Sequence, residues 1–313
     1  MLKISLHNNK FKERNSNLNS TNDFHEEYQY IHLLNDIIKY GEHDNGRNGD
    51  TLTIYGASLQ FSLENNTLPI LTTKKTAWKT CLKELLWFIR GDTSNKRLND
   101  QNVHIWDGNS TKDFLEKRGL HHYAEGDLGP LYGFQWRHWN AKYSNFNDDY
   151  SGSGIDQIKY VIDSLKDPQT RYSRRLIVSA WNTEQLNQMA VPPCHCIFQF
   201  SVHDTDKLKC SVFCRSQDVP LGQPFNIASY SFLTHLIAFH TGLNASELTL
   251  HCGNCHIYKQ HLDTIKEQLN RNPYPFPKLT FAKKHTDIND YSIEDFIVTG
   301  YSSHPPIKME MIA

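Results

Sequence analysis

The sequence predicts an α/β (α+β) protein in which strands and helices are interleaved along one chain, and three observations carry that reading. Period-two alternation runs through Cys196, Phe198, Phe200 and Val202 and again through Leu208, Cys210, Val212 and Cys214, as in strands with one buried face. Trp78, Cys81, Leu82, Leu85, Leu86 and Ile89 recur at helical spacing, which marks a helix from Thr76 to Arg90 stopped by Gly91. The stretch from Ile227 to Thr241 is apolar nearly all round and ends at Gly242, the pattern of a helix buried in a core.

The remaining elements follow in chain order. Residues 1–22 are polar, rich in Asn, Lys and Ser and without periodicity, so they read as a flexible tail ahead of one domain spanning residues 23–313. Asp23 and Glu26 set up a capping box for a helix with Ile31, Leu34 and Ile38 on one face, closed by Gly41. NGRNGDT, Asn45 to Thr51, reads as a glycine-punctuated loop carrying Arg47. Strand alternation then runs through Leu52 and Ile54 and later through Leu59, Phe61 and Leu63, and its parity flips across Gly56 to Ser58, which predicts a β-bulge there. Residues 102–150 are too dense in Trp, Tyr and Phe for a linker, leaving ligand lining and packed loop both open. A helix with Ile155, Ile158, Ile162 and Leu165 precedes a strand from Leu176 to Trp181, with Arg174 and Arg175 adjacent at its start. The strand Leu248 to His251 leads into CGNCHIY, and a helix with Leu262, Ile265 and Leu269 is stopped by NPYPFP.

Composition narrows the function classes. With 33 basic and 34 acidic residues, the chain has no net field to draw nucleic acid as a main partner. Seven cysteines without a secretory signal predict free thiols in a reducing, cytoplasmic setting, with a nuclear or mitochondrial pool or the cytoplasm of a virus-infected cell left open. No apolar run is long enough for a membrane span.

The chemistry gathers between Val191 and Asn226. If the two strands pair as a hairpin centred on Thr205, Cys194 falls opposite Arg215, and a guanidinium beside a thiol favours the nucleophilic thiolate. Pro192 and Pro193 fix the backbone just before it. Locally, a small buried cysteine with an unrelated surface arginine fits the pattern equally well. Glu84 borders the apolar stripe of its helix, where a carboxyl holds its proton more tightly; a solvated carboxylate is the alternative. CGNCH matches the haem-attachment pattern but lacks its export context, and neither CHC nor the single CxxC has a second zinc knuckle at the usual spacing, so no metal is expected. Arg47, the Arg174–Arg175 pair and Arg215 with Ser216 lie on separate segments whose convergence would make a phosphate site. An activated cysteine, a phosphate site and the amide of Asn226 together suggest a phosphorylated heterocycle.

The motifs PPCHC, CRSQDVPLGQPFNIASY, CHIY, ELLWFIRG, IWDGN, GDLGPLYGFQWRH and HPPIKMEM, in one collinear order from about Glu26 to Ala313, resemble the thymidylate synthase family. The run between Phe114 and Asp156 resembles its longer form, typical of eukaryotes and some of their viruses. The resemblance implies a single domain with a mixed, bulged β-sheet flanked by helices, paired through the sheet as a homodimer. It implies methylation of dUMP by 5,10-methylenetetrahydrofolate, giving dTMP and dihydrofolate, with Cys194 as nucleophile on the uracil ring. Arg215 and Ser216 are then phosphate and thiol partners, and Glu84, helped by Tyr132, handles protons. Asn226 reads the uracil edge, and His256 and Tyr258 hold the ribose hydroxyl. His195, Gln217 and Asp218 complete the nucleotide side together with Arg47, and Arg174 and Arg175 reach the phosphate of the other subunit. Folate-side positions are Ile105, Trp106, Asn109, Asp218, Leu221, Gly222, Phe225, Met311 and Ile312.

The chain departs from the family pattern in three places: the Arg47 loop is shorter, Cys214 replaces the glutamine before Arg-Ser, and Asn254 stands where aspartate is common. A pyrimidine nucleotide hydroxymethylase and an inactive homologue binding RNA or a partner protein stay as the alternatives.

Overall fold

A computed structural model of the 313-residue chain describes residues 25–46 and 48–312. The predicted tail, Asp23 of the predicted capping box and Arg47 lie outside the described residues. The elements are helix α1 (Tyr28–Tyr40), strands β1 (Glu42–Gly46) and β2 (Gly49–Ser62), helices α2 (Trp78–Ile89), α3 (Asn95–Asn99), α4 (Asp107–Ser110), α5 (Lys112–Lys117), α6 (Gly133–His138) and α7 (Gln157–Lys166), strands β3 (Ile177–Ser179), β4 (His195–His203) and β5 (Lys207–Asp218), helix α8 (Gly222–Thr241), strand β6 (Asn244–Tyr258), helix α9 (Leu262–Leu269), and the pair β7 (Lys278–Phe281) and β8 (Phe296–Thr299).

Six strands form one mixed sheet in the order β1-β2-β6-β5-β4-β3, in which β5 and β6 are parallel and the other neighbours antiparallel. The parallel pair exists because α8 carries the chain from the end of β5 back to the start of β6. Its side chains Ile227, Phe232, Leu233, Leu236 and Ile237 are fully buried, each contributing about 1.5–3 kcal/mol. Against the same core lie Phe198, Phe200, Val202, Leu208, Cys210 and Val212, the alternating inward set of β4 and β5.

Among the described residues, the opposite face of the sheet is left uncovered. Ile177, Ile197 and Phe213 are each about two-fifths exposed and Tyr55 is 83% exposed. Ile197 pairs with Phe213 and Phe213 with His251, so two of these exposed apolar side chains lie side by side at the middle of the face.

Five local expectations are corrected. The register of β2 on β6 is continuous from Thr51↔Tyr258 to Ser62↔Glu247, so no residue is inserted at Gly56 to Ser58. The parity change comes instead from Gly56, whose φ of 82° kinks the strand without a slip. The sheet is irregular elsewhere, between His195 and Ile197 and between Leu208 and Lys209. NGRNGDT is not an open loop: its ends pair as β1 and β2 from Glu42↔Thr53 to Gly46↔Gly49. CGNCHIY does not follow a strand but forms the second half of β6. Finally, α8 starts at Gly222 instead of Ile227, because Pro224 sits in the first turn, where a missing N–H costs nothing. Phe225 and Asn226 are therefore held on a helix. Glu26 caps no helix; its carboxylate accepts the Ser62 N–H at 2.9 Å.

Candidate active site

Cys194 stands just before β4 and Arg215 lies within β5. The two strands pair in the predicted register centred on Thr205, from Ile197↔Phe213 to His203↔Lys207, and the register slips by one between Ile197 and His195. That slip decides the site. Continued unshifted, a hairpin centred on Thr205 sets Cys194 against Ser216 and not, as expected from that centring, against Arg215; with the slip, the Arg215 N–H donates to the Cys194 carbonyl at 2.8 Å. The Cys196 thiol closes the kink by donating to the carbonyls of Pro193 at 3.4 Å and Cys194 at 3.5 Å.

The Arg215 side chain is fixed from several directions. Its Nε donates to Pro193 O at 2.8 Å and its Nη2 to Pro192 O at 2.9 Å, with Nη2 3.9 Å from Cys194 Sγ. The guanidinium lies over the Trp181 ring at 5.4 Å, a cation–π contact. The expected lowering of the thiol pKa is outweighed: burial pushes Cys194 above the ordinary thiol value, while Arg215 and the Tyr132 hydroxyl pull it down. A cation committed to two backbone carbonyls offsets only part of the cost of a desolvated thiolate.

Tyr132 accepts the Cys194 N–H at 2.8 Å. It sits at φ 31°, ψ −94° at the N-terminus of α6, a strained conformation for a side chain with a Cβ, costing on the order of 1–3 kcal/mol. Packing holds it there: its ring stacks on His195 at 4.0 Å and meets Phe88 at 5.0 Å. The next residue must be glycine, since a Cβ on Gly133 would lie 2.4 Å from Phe88 O. The LYGFQW run is thus a packed turn aimed at the cysteine.

A small pocket is lined by Glu84, Phe88, Trp136, His195, Asn226 and Tyr230, among others. Glu84 accepts the Trp106 indole N–H at 2.7 Å. Burial pushes its pKa up to about 7, against which the indole bond works, so this carboxyl exchanges its proton near neutrality. His195 is held near 3 by burial and stays neutral, its Nδ1 2.8 Å from Tyr230 Oη. Asn226 Nδ2 donates to Gln217 Oε1 at 2.9 Å and lies 3.9 Å from Cys214 Sγ.

Asp218, at the end of β5, accepts the Leu221 N–H at 3.1 Å, and burial raises its pKa. His256 faces Asn254 Oδ1 at 2.8 Å and the Tyr258 ring at 5.3 Å. Ser216 pairs with Asn254 across β5 and β6. Leu221, Gly222 and Phe225 occupy the first turn of α8 and its approach. Ile105 and Trp106 precede α4, and the Asn109 N–H donates to Trp106 O. Met311 is 58% exposed near the end of an irregular tail that includes Ile312. Arg271 ties that tail to the core through Pro305 O and Thr73 O, both at 2.9 Å.

Arg174 and Arg175 are not brought to Cys194. They are exposed at the entry to β3, on the sheet's edge, with no side-chain partner among the described residues. The CGNCH cysteines are inward residues of β6: Cys252 shares thiol hydrogen bonds with Cys214 and Cys255. Among the described residues no cluster of His, Cys, Asp or Glu is placed to hold a metal ion.

Three contacting residues escaped the sequence reading. Trp181 supports Arg215 and Tyr230 anchors His195. Lys74, buried and bonded to Pro220 O, has its pKa lowered to about 8 by burial against the pull of Asp218. Each contacts its partner across more than 30 residues of sequence, and only Lys74, in the polar run TTKK, carried even a compositional signal.

The thymidylate synthase family model matches residues 28–313. The chain is 48% identical to the thymidylate synthase of Agaricus bisporus over 92% of this chain and 99% of that protein, and 46% identical to that of Homo sapiens over 92% and 91%. It is also 48% identical to a bifunctional dihydrofolate reductase-thymidylate synthase of Leishmania major, over 92% of this chain and 55% of that protein, so it spans about half the length of such bifunctional relatives. No helix among the described residues is long and apolar enough to cross a membrane.

Proposed function

From the membership of this chain in the thymidylate synthase family, we propose that it methylates dUMP to dTMP with 5,10-methylenetetrahydrofolate, releasing dihydrofolate. The observation that carries the reading is the meeting of Cys194, Arg215 and Tyr132 beside a pocket holding Glu84 and Asn226. Cys194 loses its proton and its sulfur bonds to carbon 6 of the uracil ring, leaving carbon 5 electron-rich. Because burial holds the resting thiol protonated, Arg215 has to stabilise the thiolate at the moment it forms. Ser216 and Arg215 bind the phosphate, His256 and Tyr258 the ribose, and Asn226 the base. Arg47 joins the phosphate contacts.

When bound, the folate supplies one carbon and the hydride that reduces it to a methyl group. The residues fit such a group: Asp218 offers a buried acceptor next to Leu221, with Phe225 one helical turn on, and Trp106 is tethered to Glu84. Glu84, exchanging its proton near pH 7, serves ring opening of the folate and removal of the carbon 5 proton. Cys194 then leaves as the carbon 5 double bond forms.

The sheet face uncovered among the described residues, with Arg174 and Arg175 at its edge lacking side-chain partners among them, supports a homodimer in which those arginines reach the partner's phosphate. Incubation with dUMP and methylenetetrahydrofolate should raise the absorbance of dihydrofolate; a protein that binds both and yields none sinks the reading.

A further inference from the structure

The amide of Asn226 can read two different bases. Its Nδ2 donates and its Oδ1 accepts, so one orientation matches a uracil edge (acceptor O4 beside donor N3–H). Turned by 180°, the same amide matches a cytosine edge (donor N4–H beside acceptor N3). An asparagine therefore distinguishes the two bases only if something holds its amide.

Gln217 is in position to do so. It is 2% exposed, on the inward side of β5, opposite Cys255 in the register with β6. Its Oε1 accepts from Asn226 Nδ2 at 2.9 Å, and its own Nε2 lies 3.5 Å from the carbonyl oxygen of Asp218. A backbone carbonyl only accepts. Turning the Gln217 amide would face its Oε1 with that oxygen, and turning Asn226 alone would face its Oδ1 with Gln217 Oε1. The backbone thus sets the first amide and the first sets the second. The residue beneath makes room for this: a Cβ on Gly222 would come within 3.1 Å of Gln217 Nε2. Among the described residues, Asn226 Nδ2 otherwise meets only the weak acceptor Cys214 Sγ, at 3.9 Å.

We propose that Gln217 is a positioning residue that fixes the Asn226 amide in its uracil-reading orientation and so sets the preference for a uracil over a cytosine nucleotide. The inference rests on the proposed reading of the site as one for dUMP. A hydrogen bond of this kind contributes about 0.5–1.5 kcal/mol net, so its loss should narrow the preference by up to about tenfold.

The test measures dissociation constants of dUMP and dCMP for the full chain, without folate, by titration calorimetry. Gln217→Met keeps length and removes both polar groups; its ratio of dCMP to dUMP constants should fall severalfold, up to about tenfold. Gly222→Ala, which keeps the glutamine but crowds its amide, should move the ratio the same way by less. Gln217→Glu keeps an acceptor toward Asn226 and should hold the wild-type ratio when the new carboxyl is protonated. General damage to the pocket weakens both ligands alike and leaves the ratio unmoved, so an unmoved ratio in folded Gln217→Met and Gly222→Ala overturns the proposal. Wild type that binds dUMP no better than dCMP overturns the reading of the site as well.

Discussion

Arg215 and the Arg174–Arg175 pair are the same residue type in opposite settings. Arg215 is bonded to Pro192 and Pro193, stacked on Trp181 and 3.9 Å from the Cys194 sulfur. The pair at the entry to β3 is exposed and holds nothing among the described residues. The first arginine is completed by its own chain. In the proposed homodimer the second two are completed by a partner lying on the sheet face beside them. A cation preorganised by its own fold acts without further assembly; one on an uncovered edge acts only after association.

Four experiments press on that contrast, and a fifth tests the buried carboxyl beside it. Cys194→Ser removes the sulfur that Arg215 is arranged around, and turnover should drop by on the order of 10⁴-fold or more; near-normal activity would leave Arg215 serving no nucleophile. Arg215→Lys keeps the charge but loses the fork that grips both proline carbonyls. Its kcat/KM for dUMP should fall on the order of 10²-fold, since charged hydrogen bonds contribute about 1.5–3 kcal/mol each. Arg175→Ala should lose activity too, yet a mixture with Cys194→Ser subunits should recover roughly a quarter of wild-type activity, one intact site in each mixed dimer. No recovery despite proven subunit exchange would assign both arginines to their own chain.

The fourth experiment addresses the open face directly. Phe213→Asp, at its centre, should shift sedimentation from dimer toward monomer, and an unchanged dimer would place the interface elsewhere. The smallest effect concerns Glu84. An acid whose folded pKa is raised stabilises the fold fully below its ordinary value of 4.5, and that contribution is lost as pH climbs through about 7. Glu84→Gln cannot lose it, so thermal unfolding should show the variant gaining on wild type between those pH values. The gain should be about 1–3 kcal/mol, the group being only partly buried by surface area. A pH-independent difference would mean the carboxyl is solvated.

Much of this was legible because it is local. Alternation named β4 and β5, helical spacing named α2, and the hairpin centred on Thr205 brings Cys194 to the neighbourhood of Ser216 and Arg215, though not to the choice between them. Glu84 at the border of an apolar stripe announced a raised pKa, and the structure agrees in direction. Misreadings fell where backbone detail overrides pattern. Gly56 kinks β2 without a bulge, and Pro224 opens α8 instead of preceding it.

The sequence by itself determined which residues meet across a turn or along one helix face, since those spacings are fixed by the 2.0 and 3.6 periods of the backbone. Only the tertiary structure decided what depends on distant segments arriving together. The one-residue slip at His195 selects Arg215 over Ser216 as the cysteine's partner. Burial overrules that arginine in setting the resting thiol. Gln217, nine residues before Asn226 in sequence and on a different element, takes hold of its amide because the chain turns from β5 into α8 between them. Desolvation and hydrogen-bond partnership are properties of an enclosed volume, and no single stretch of chain encloses one.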